Sequence, residues 1–137
     1  MYVPRHFKAF ELVDPITYAK FGEGALQLFN PLALQALDTM RDYFKVPITV
    51  NNWKTGGPFK WRGLRTVDCL EGAKWSQHRL GGAFDCDVRG KTADEARSEI
   101  IYNKGFKIIT CLEADVNWVH LDVRNIDTRN GILIVRP

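Results

Sequence analysis

Histidine and aspartate recur in two short stretches at spacings that could do chemistry. The first is "SQHRLGGAFD", residues 76–85, where His78 and Asp85 flank Gly81 and Gly82. The second is "NWVHLDV", residues 117–123, where His120 and Asp122 alternate with apolar residues. The paired glycines argue against a helix joining His78 to Asp85. In "AFDCDVR", Phe84, Cys86 and Val88 alternate with Asp85 and Asp87. A strand there turns the apolar side chains one way and the acids the other. A strand over "NWVHLDV" likewise puts Val119, Leu121 and Val123 on one face and Trp118, His120 and Asp122 on the opposite one. His78, Asp85 and His120 could then meet at one point. Two imidazoles and a carboxylate make a three-ligand zinc set that keeps a fourth position for water. A cation so held lowers that water's pKa toward neutrality and polarises a carbonyl oxygen, which is hydrolase chemistry.

A proton carrier would complete such a site. "FKIITCLE" and "NWVHLDV" read as strands joined by a turn over Ala114 to Asn117, a predicted hairpin. With a four-residue turn, Glu113 falls opposite Trp118 and Cys111 opposite His120. Glu113 then projects on the same face as His120, one diagonal away. Its carboxylate could take a proton from water and pass it to a leaving amine. Asp115, in the turn itself, is the rival for that role. A Cys111–His120 nucleophilic pair is a further alternative, with no orienting residue evident beside it.

Each of these residues also has a plainer reading. A lone histidine is more often a surface or core residue than a ligand. Asp is depleted in strands, so Asp85 is less easily dismissed. Asp87 and Asp122 would face solvent or serve as partners of the histidines. Trp53, Trp61 and Trp75 suit either the core or the wall of a cleft. His6 has no matching partners.

The elements that must position these groups are legible in outline. The 137 residues fit one domain over 1–137, with no repeat, linker or separate cell-wall-binding module. "DPITYAKFG" predicts a helix with Asp14 as N-cap, Pro15 at the first position and a stop at Gly22. "NPLALQALDTMRDYFK" repeats the device with Asn30 and Pro31. Leu34, Leu37, Met40 and Phe44 then give one buried face. "VPITVNN" reads as a strand. Residues 54–77 form a glycine-rich loop, long enough to suggest a functional one. "TADEARSEIIYN" opens on Thr92 and Glu95 as a capping box. "ILIV" is a last short strand. The order predicts an α+β domain, a mainly antiparallel sheet flanked by helices.

Composition narrows the partners. A net charge of +3 is no nucleic-acid signature, though it would ease approach to an anionic surface such as a cell wall. Apolar runs are too short for a membrane span, and the first residues do not read as a signal peptide. Cys69, Cys86 and Cys111 form no CxxC pair, which suits a reducing compartment such as the cytoplasm. A monomer is the default expectation.

"SQHRLGGAFD" resembles the SxHxxGxAxD motif of the zinc D-Ala-D-Ala carboxypeptidase and peptidoglycan endopeptidase family. Ser76, His78, Gly81, Ala83 and Asp85 fill its fixed positions. "WVHLDVR" is similar to that family's second motif, an aromatic or apolar residue followed by HxD. "GLR" at 63–65 resembles the "GYR" that precedes the first motif. The resemblance runs from about Pro47 to Arg124 and is strongest to compact phage endolysin peptidases. It implies the fold shared with hedgehog signalling domains and zinc at His78, Asp85 and His120. It also implies hydrolysis of stem peptides in bacterial peptidoglycan, of L-Ala-D-Glu endopeptidase or D-Ala-D-Ala carboxypeptidase type. Arg65 would hold a substrate carbonyl or carboxylate, with Arg62 as fallback. Ser76 and Gln77 would line the cleft, and Gly81 would make a tight turn. A phage lysis enzyme without a signal peptide would need a separate pore-forming protein to leave the host cytoplasm for the wall.

One departure stands out. Many members carry an acid three positions before the last histidine, where this chain has Asn117, which cannot act as a base. Other relatives draw the acid from the end of the preceding strand, the pattern that Glu113 fits. The alternative is a zinc-binding structural or binding protein of the same fold that hydrolyses poorly or not at all.

Overall fold

The computed structural model describes residues 1–103 and 105–137. Three helices form where the caps predict them. Helix α1, Pro15–Phe21, starts at Asp14, whose carboxylate accepts from the backbone N–H groups of Ile16 and Thr17. Helix α2, Pro31–Phe44, starts at Asn30, whose side chain accepts from Leu32 N. Helix α3, Ala93–Tyr102, starts at the reciprocal Thr92–Glu95 capping box. Each cap satisfies backbone donors that a first helical turn cannot pair internally.

Five strands make one mixed sheet: β1 (Ile48–Thr49), β2 (Ala83–Val88), β3 (Cys111–Glu113), β4 (Val119–Asp122) and β5 (Leu133–Val135). Their order is β1-β2-β4-β3-β5. The pairings β1–β2, β2–β4 and β3–β4 are antiparallel, while β5 runs parallel to β3. The α+β class and the mainly antiparallel sheet therefore hold, and the parallel edge strand is an addition. The strands are shorter than the apolar runs. "VPITVNN" pairs only at Ile48 and Thr49. Beyond them Asn51 bonds outside the sheet: its N–H donates to Glu11 O and its side-chain amide to Val13 O. "FKIITCLE" pairs only from Cys111.

Helix α2 packs on β2, and α3 packs on β2 and β4. The buried face of α2 carries Leu34, Leu37, Met40 and Phe44, as its periodicity requires. Phe84 of β2 is fully buried and stacks on Phe29, ring centroids 5.3 Å apart. Cys86, Val119 and Leu121 complete the apolar side of the central strands. Burying these side chains fixes which face of β2 and β4 is left for polar residues. A one-residue slip would invert both faces, so the register is strongly held. Among the described residues, no helix is long and apolar enough to cross a membrane.

Two glycines are required by geometry. Gly81 has φ +69°, and a Cβ there would lie 2.3 Å from Leu28 O. Gly63 packs so closely that a Cβ would lie 2.0 Å from Leu12 O. Only a residue without a side chain permits both approaches. They set the two loop segments that carry His78 and Arg65.

Candidate metal centre and cleft

Strands β2 and β4 bring Asp85 and His120 opposite each other in the ladder. The Gly81 turn delivers His78 from the preceding loop. One donor atom from each of His78, Asp85 and His120 lies within 4.8 Å of the others, and all three residues are buried. This group could hold a metal ion. His120 Nδ1 lies 2.8 Å from Asp85 Oδ1, and His78 Nε2 lies 3.3 Å from Asp85 Oδ2. Ligand atoms on a tetrahedral cation with bonds of 2.0–2.1 Å are about 3.3 Å apart, so each histidine nitrogen already stands near that spacing from an Asp85 oxygen.

The second nitrogen of each imidazole is occupied. His78 Nδ1 donates to Gly63 O at 2.9 Å, which leaves the Nε2 lone pair aimed at Asp85. His120 Nε2 donates to Asp122 Oδ2 at 3.0 Å, which leaves Nδ1 facing Asp85. Such partners fix the tautomer and orientation of a ligating histidine. Asp122 is fully buried and held in turn by Arg124, whose Nη2 donates to Oδ2 at 2.6 Å and whose Nε donates to Oδ1 at 2.8 Å. The reading of Asp122 as a histidine partner is correct. Arg124, two residues on along the same strand face, was not singled out, although alternation places it there.

The electrostatics follow from this chain of contacts. Burial works against the Asp85 charge, but hydrogen bonds from His120 and His78 outweigh it and hold the carboxyl below the usual carboxylate range. Burial also works against charge on Asp122, yet His120 and Arg124 bring its pKa down to about 2. For His120 burial disfavours the cation, while Asp122 and Asp85 on either side push its pKa up to about 9. The His120 ring thus lies between two carboxylates, Asp85 at Nδ1 and Asp122 at Nε2.

Beside the cluster lies a cleft of about 650 Å³, lined among others by Trp61, Arg65, Glu71, Asp85, Asn117 and Trp118. That size suits a small-molecule or peptide ligand. Arg65 reaches the cluster: Nη2 donates to Asp85 Oδ2 at 3.2 Å, and Nε donates to Trp61 O at 2.9 Å. Arg62 also lines the cleft, but its guanidinium grips Asp87 at 2.7 and 3.1 Å. Ser76 and Gln77 do not line it. The Ser76 hydroxyl is buried without a hydrogen-bond partner, and the Gln77 carbonyl closes the turn by accepting from Leu80 and Gly82 N. Trp61 is a cleft wall, whereas Trp53 anchors the fold by donating to Val13 O and Trp75 is exposed. Glu71, in the long loop, is a cleft residue that no sequence signal marked.

The hairpin register differs from the predicted one. Glu113 pairs directly with His120, and Cys111 pairs with Asp122. The shift is two residues, so the faces are unchanged and Glu113 comes closer to His120 than the diagonal placement. Asp115 goes elsewhere. It adopts φ +62° at the turn, is exposed, pairs with Arg136 at 2.8 Å and lines a neighbouring groove. Burial first, and then the Asp122 charge, push the Cys111 thiol up to about 11, and it lies across from Asp122 rather than His120.

No protein-family model, curated protein or solved structure matches this chain.

Proposed function

We propose that the protein is a zinc-dependent peptidase that hydrolyses stem peptides of bacterial peptidoglycan, built on the hedgehog/DD-peptidase fold. The observation that carries this reading is the convergence of His78, Asp85 and His120 with each imidazole's other nitrogen already engaged. Two nitrogens and one carboxylate oxygen suit zinc. When bound, zinc supplies Lewis-acid polarisation of a carbonyl and lowers the pKa of water at the site. The chain's own groups do the rest. Glu113, across the ladder from His120, takes a proton from the attacking water and returns it to the leaving nitrogen. Arg65, at the cleft, offers its guanidinium to a substrate oxygen. The aromatic walls Trp61 and Trp118 bracket the substrate. The "SQHRLGGAFD" and "WVHLDVR" motifs support the same substrate class, with a phage lysis enzyme as the setting.

The test is lysis of purified cell walls by the wild type and by His120→Ala, each with and without a chelator. Only the untreated wild type should lyse them; equal lysis in all four cases rejects the reading.

A second reading has one observation in its favour. Asn117, not an acid, lines the cleft beside Asp85. A zinc-holding binding protein of this fold would retain the metal and the peptide but release no product.

A further inference from the structure

The loop that precedes the His78 turn is held from outside itself. Residues 66–73 form no helix or strand. Val67 and Leu70 are 90% and 97% exposed, and Cys69 is the one buried side chain of the stretch. A segment with so little to bury opens readily unless its backbone is bonded elsewhere. Here a single side chain does that. Arg79 Nη1 donates to Thr66 O at 2.9 Å, Nη2 to Cys69 O at 2.8 Å and to Glu71 O at 3.2 Å, and Nε to Ala73 O at 3.3 Å. A guanidinium presents its donors in a rigid plane, so these carbonyls are gathered into one arrangement. Arg79 is anchored in its turn by the segment that delivers His78, where its own N–H donates to Ser76 O at 3.0 Å.

The gathered loop bears on the cleft. Glu71 lines it. Gly72, at φ +80°, lies against the Arg65 guanidinium: a Cβ there would stand 2.6 Å from Nη1. Arg65 Nε and Nη2 are already engaged by Trp61 O and Asp85 Oδ2. The Gly72 backbone therefore bounds the third nitrogen, and the guanidinium is kept at the cleft wall beside Asp85 instead of swinging out under the loop.

We propose that Arg79 is a positioning residue for the cleft: it acts through residues 66–73 and the Gly72 backbone to hold the Arg65 guanidinium where a substrate oxygen meets it. This rests on the peptidase reading and adds to that site a residue whose side chain bonds only to the loop.

The test is a double-mutant cycle on the zinc-loaded protein with a synthetic stem pentapeptide. It compares the wild type, Arg79→Ala, Arg65→Ala and the double variant, with zinc affinity measured for each. Arg79→Ala should lower kcat/KM by about tenfold to a hundredfold at unchanged zinc affinity, since a misplacement of about 1 Å can cost that much. In the Arg65→Ala background the same change should cost less than about threefold, because the group it positions is gone. Equal losses in both backgrounds are what a merely structural role gives, and they overturn the proposal. So does hydrolysis by Arg79→Ala at the wild-type rate. Loss of zinc by Arg79→Ala assigns the arginine to the His78 turn and also overturns it. Gly72→Ala approaches the same contact without touching Arg79. Its Cβ displaces Arg65 Nη1, so it should slow hydrolysis in the wild type but not in the Arg65→Ala background; equal slowing in both counts against the proposal. A further readout is independent of hydrolysis. Chymotrypsin should cut at Leu70 about tenfold faster in Arg79→Ala, and an unchanged rate shows that the loop is held by something else. A wild type that cleaves no peptide ends the peptidase reading, and the chymotrypsin rates still decide whether Arg79 holds the loop.

Discussion

Glu113 and His120 face each other across the β3–β4 ladder, so the one carboxylate at the end of β3 projects on the same side of the sheet as the metal-facing imidazole. That pairing gives the proposed proton carrier a place that Asp115 lacks. Glu113→Gln should lower kcat by about 10²–10⁴-fold, the usual contribution of a positioned acid–base group, while leaving zinc affinity unchanged. Asp115→Asn should do neither, because Asp115 is exposed and tied to Arg136. Steady-state hydrolysis beside a zinc titration distinguishes the two; the opposite ranking would transfer the role to Asp115.

Asp122 orients His120 without reaching the cation position itself. Asp122→Asn should weaken zinc binding by about 10–100-fold, the cost seen when such hydrogen-bond partners are lost. A chelator competition titration measures it. An affinity equal to wild type would reduce Asp122 to an ordinary buried partner of Arg124.

The pH dependence of the metal-free protein follows from His120. Its pKa is raised to about 9 in the folded state, against an unfolded value of about 6.5. The stability it contributes is complete below about pH 6.5 and is lost as pH rises toward 9. Asp85 and Asp122 have depressed values, and their contributions fade only in acid. The zinc-free Tm should therefore fall between pH 6.5 and 9. Zinc must displace the His120 proton, so its stabilising shift should grow over the same interval. Scanning calorimetry with and without a chelator checks both, and a zinc-free Tm that rises with pH would refute the charge pattern at His120.

Cys111→Ser should retain full hydrolysis, since a thiol held near pKa 11 and set against Asp122 is protonated at neutral pH. Loss of activity with zinc binding intact would revive the cysteine mechanism.

Much of this site was legible because strand alternation is rigid. Once β2 and β4 bury Phe84, Cys86, Val119 and Leu121, Asp85 and His120 have only the other face to occupy. The caps Asp14, Asn30 and Thr92 marked the helix starts for an equally local reason. The hairpin register was not legible. Its turn is longer than four residues, and Arg97, on a distant helix, holds the Val116 and Trp118 carbonyls within it. Even so, the error of two residues preserved the faces, as a period of two must. The positions of Asp115, Ser76 and Glu71 depended on tertiary contacts: Arg136 for the first, the closed turn before Gly82 for the second, the folded long loop for the third. The parallel pairing of β5 with β3 is likewise a long-range event with no local signal.

The most direct measurement is zinc binding by the wild type and by His78→Ala, Asp85→Ala and His120→Ala, each titrated against a competing chelator. The wild type should bind one zinc per chain, and each substitution should weaken it by about a hundredfold or more while the circular dichroism spectrum stays that of the folded protein. Zinc held equally well by all three variants, or not at all by the wild type, would contradict the three-residue centre.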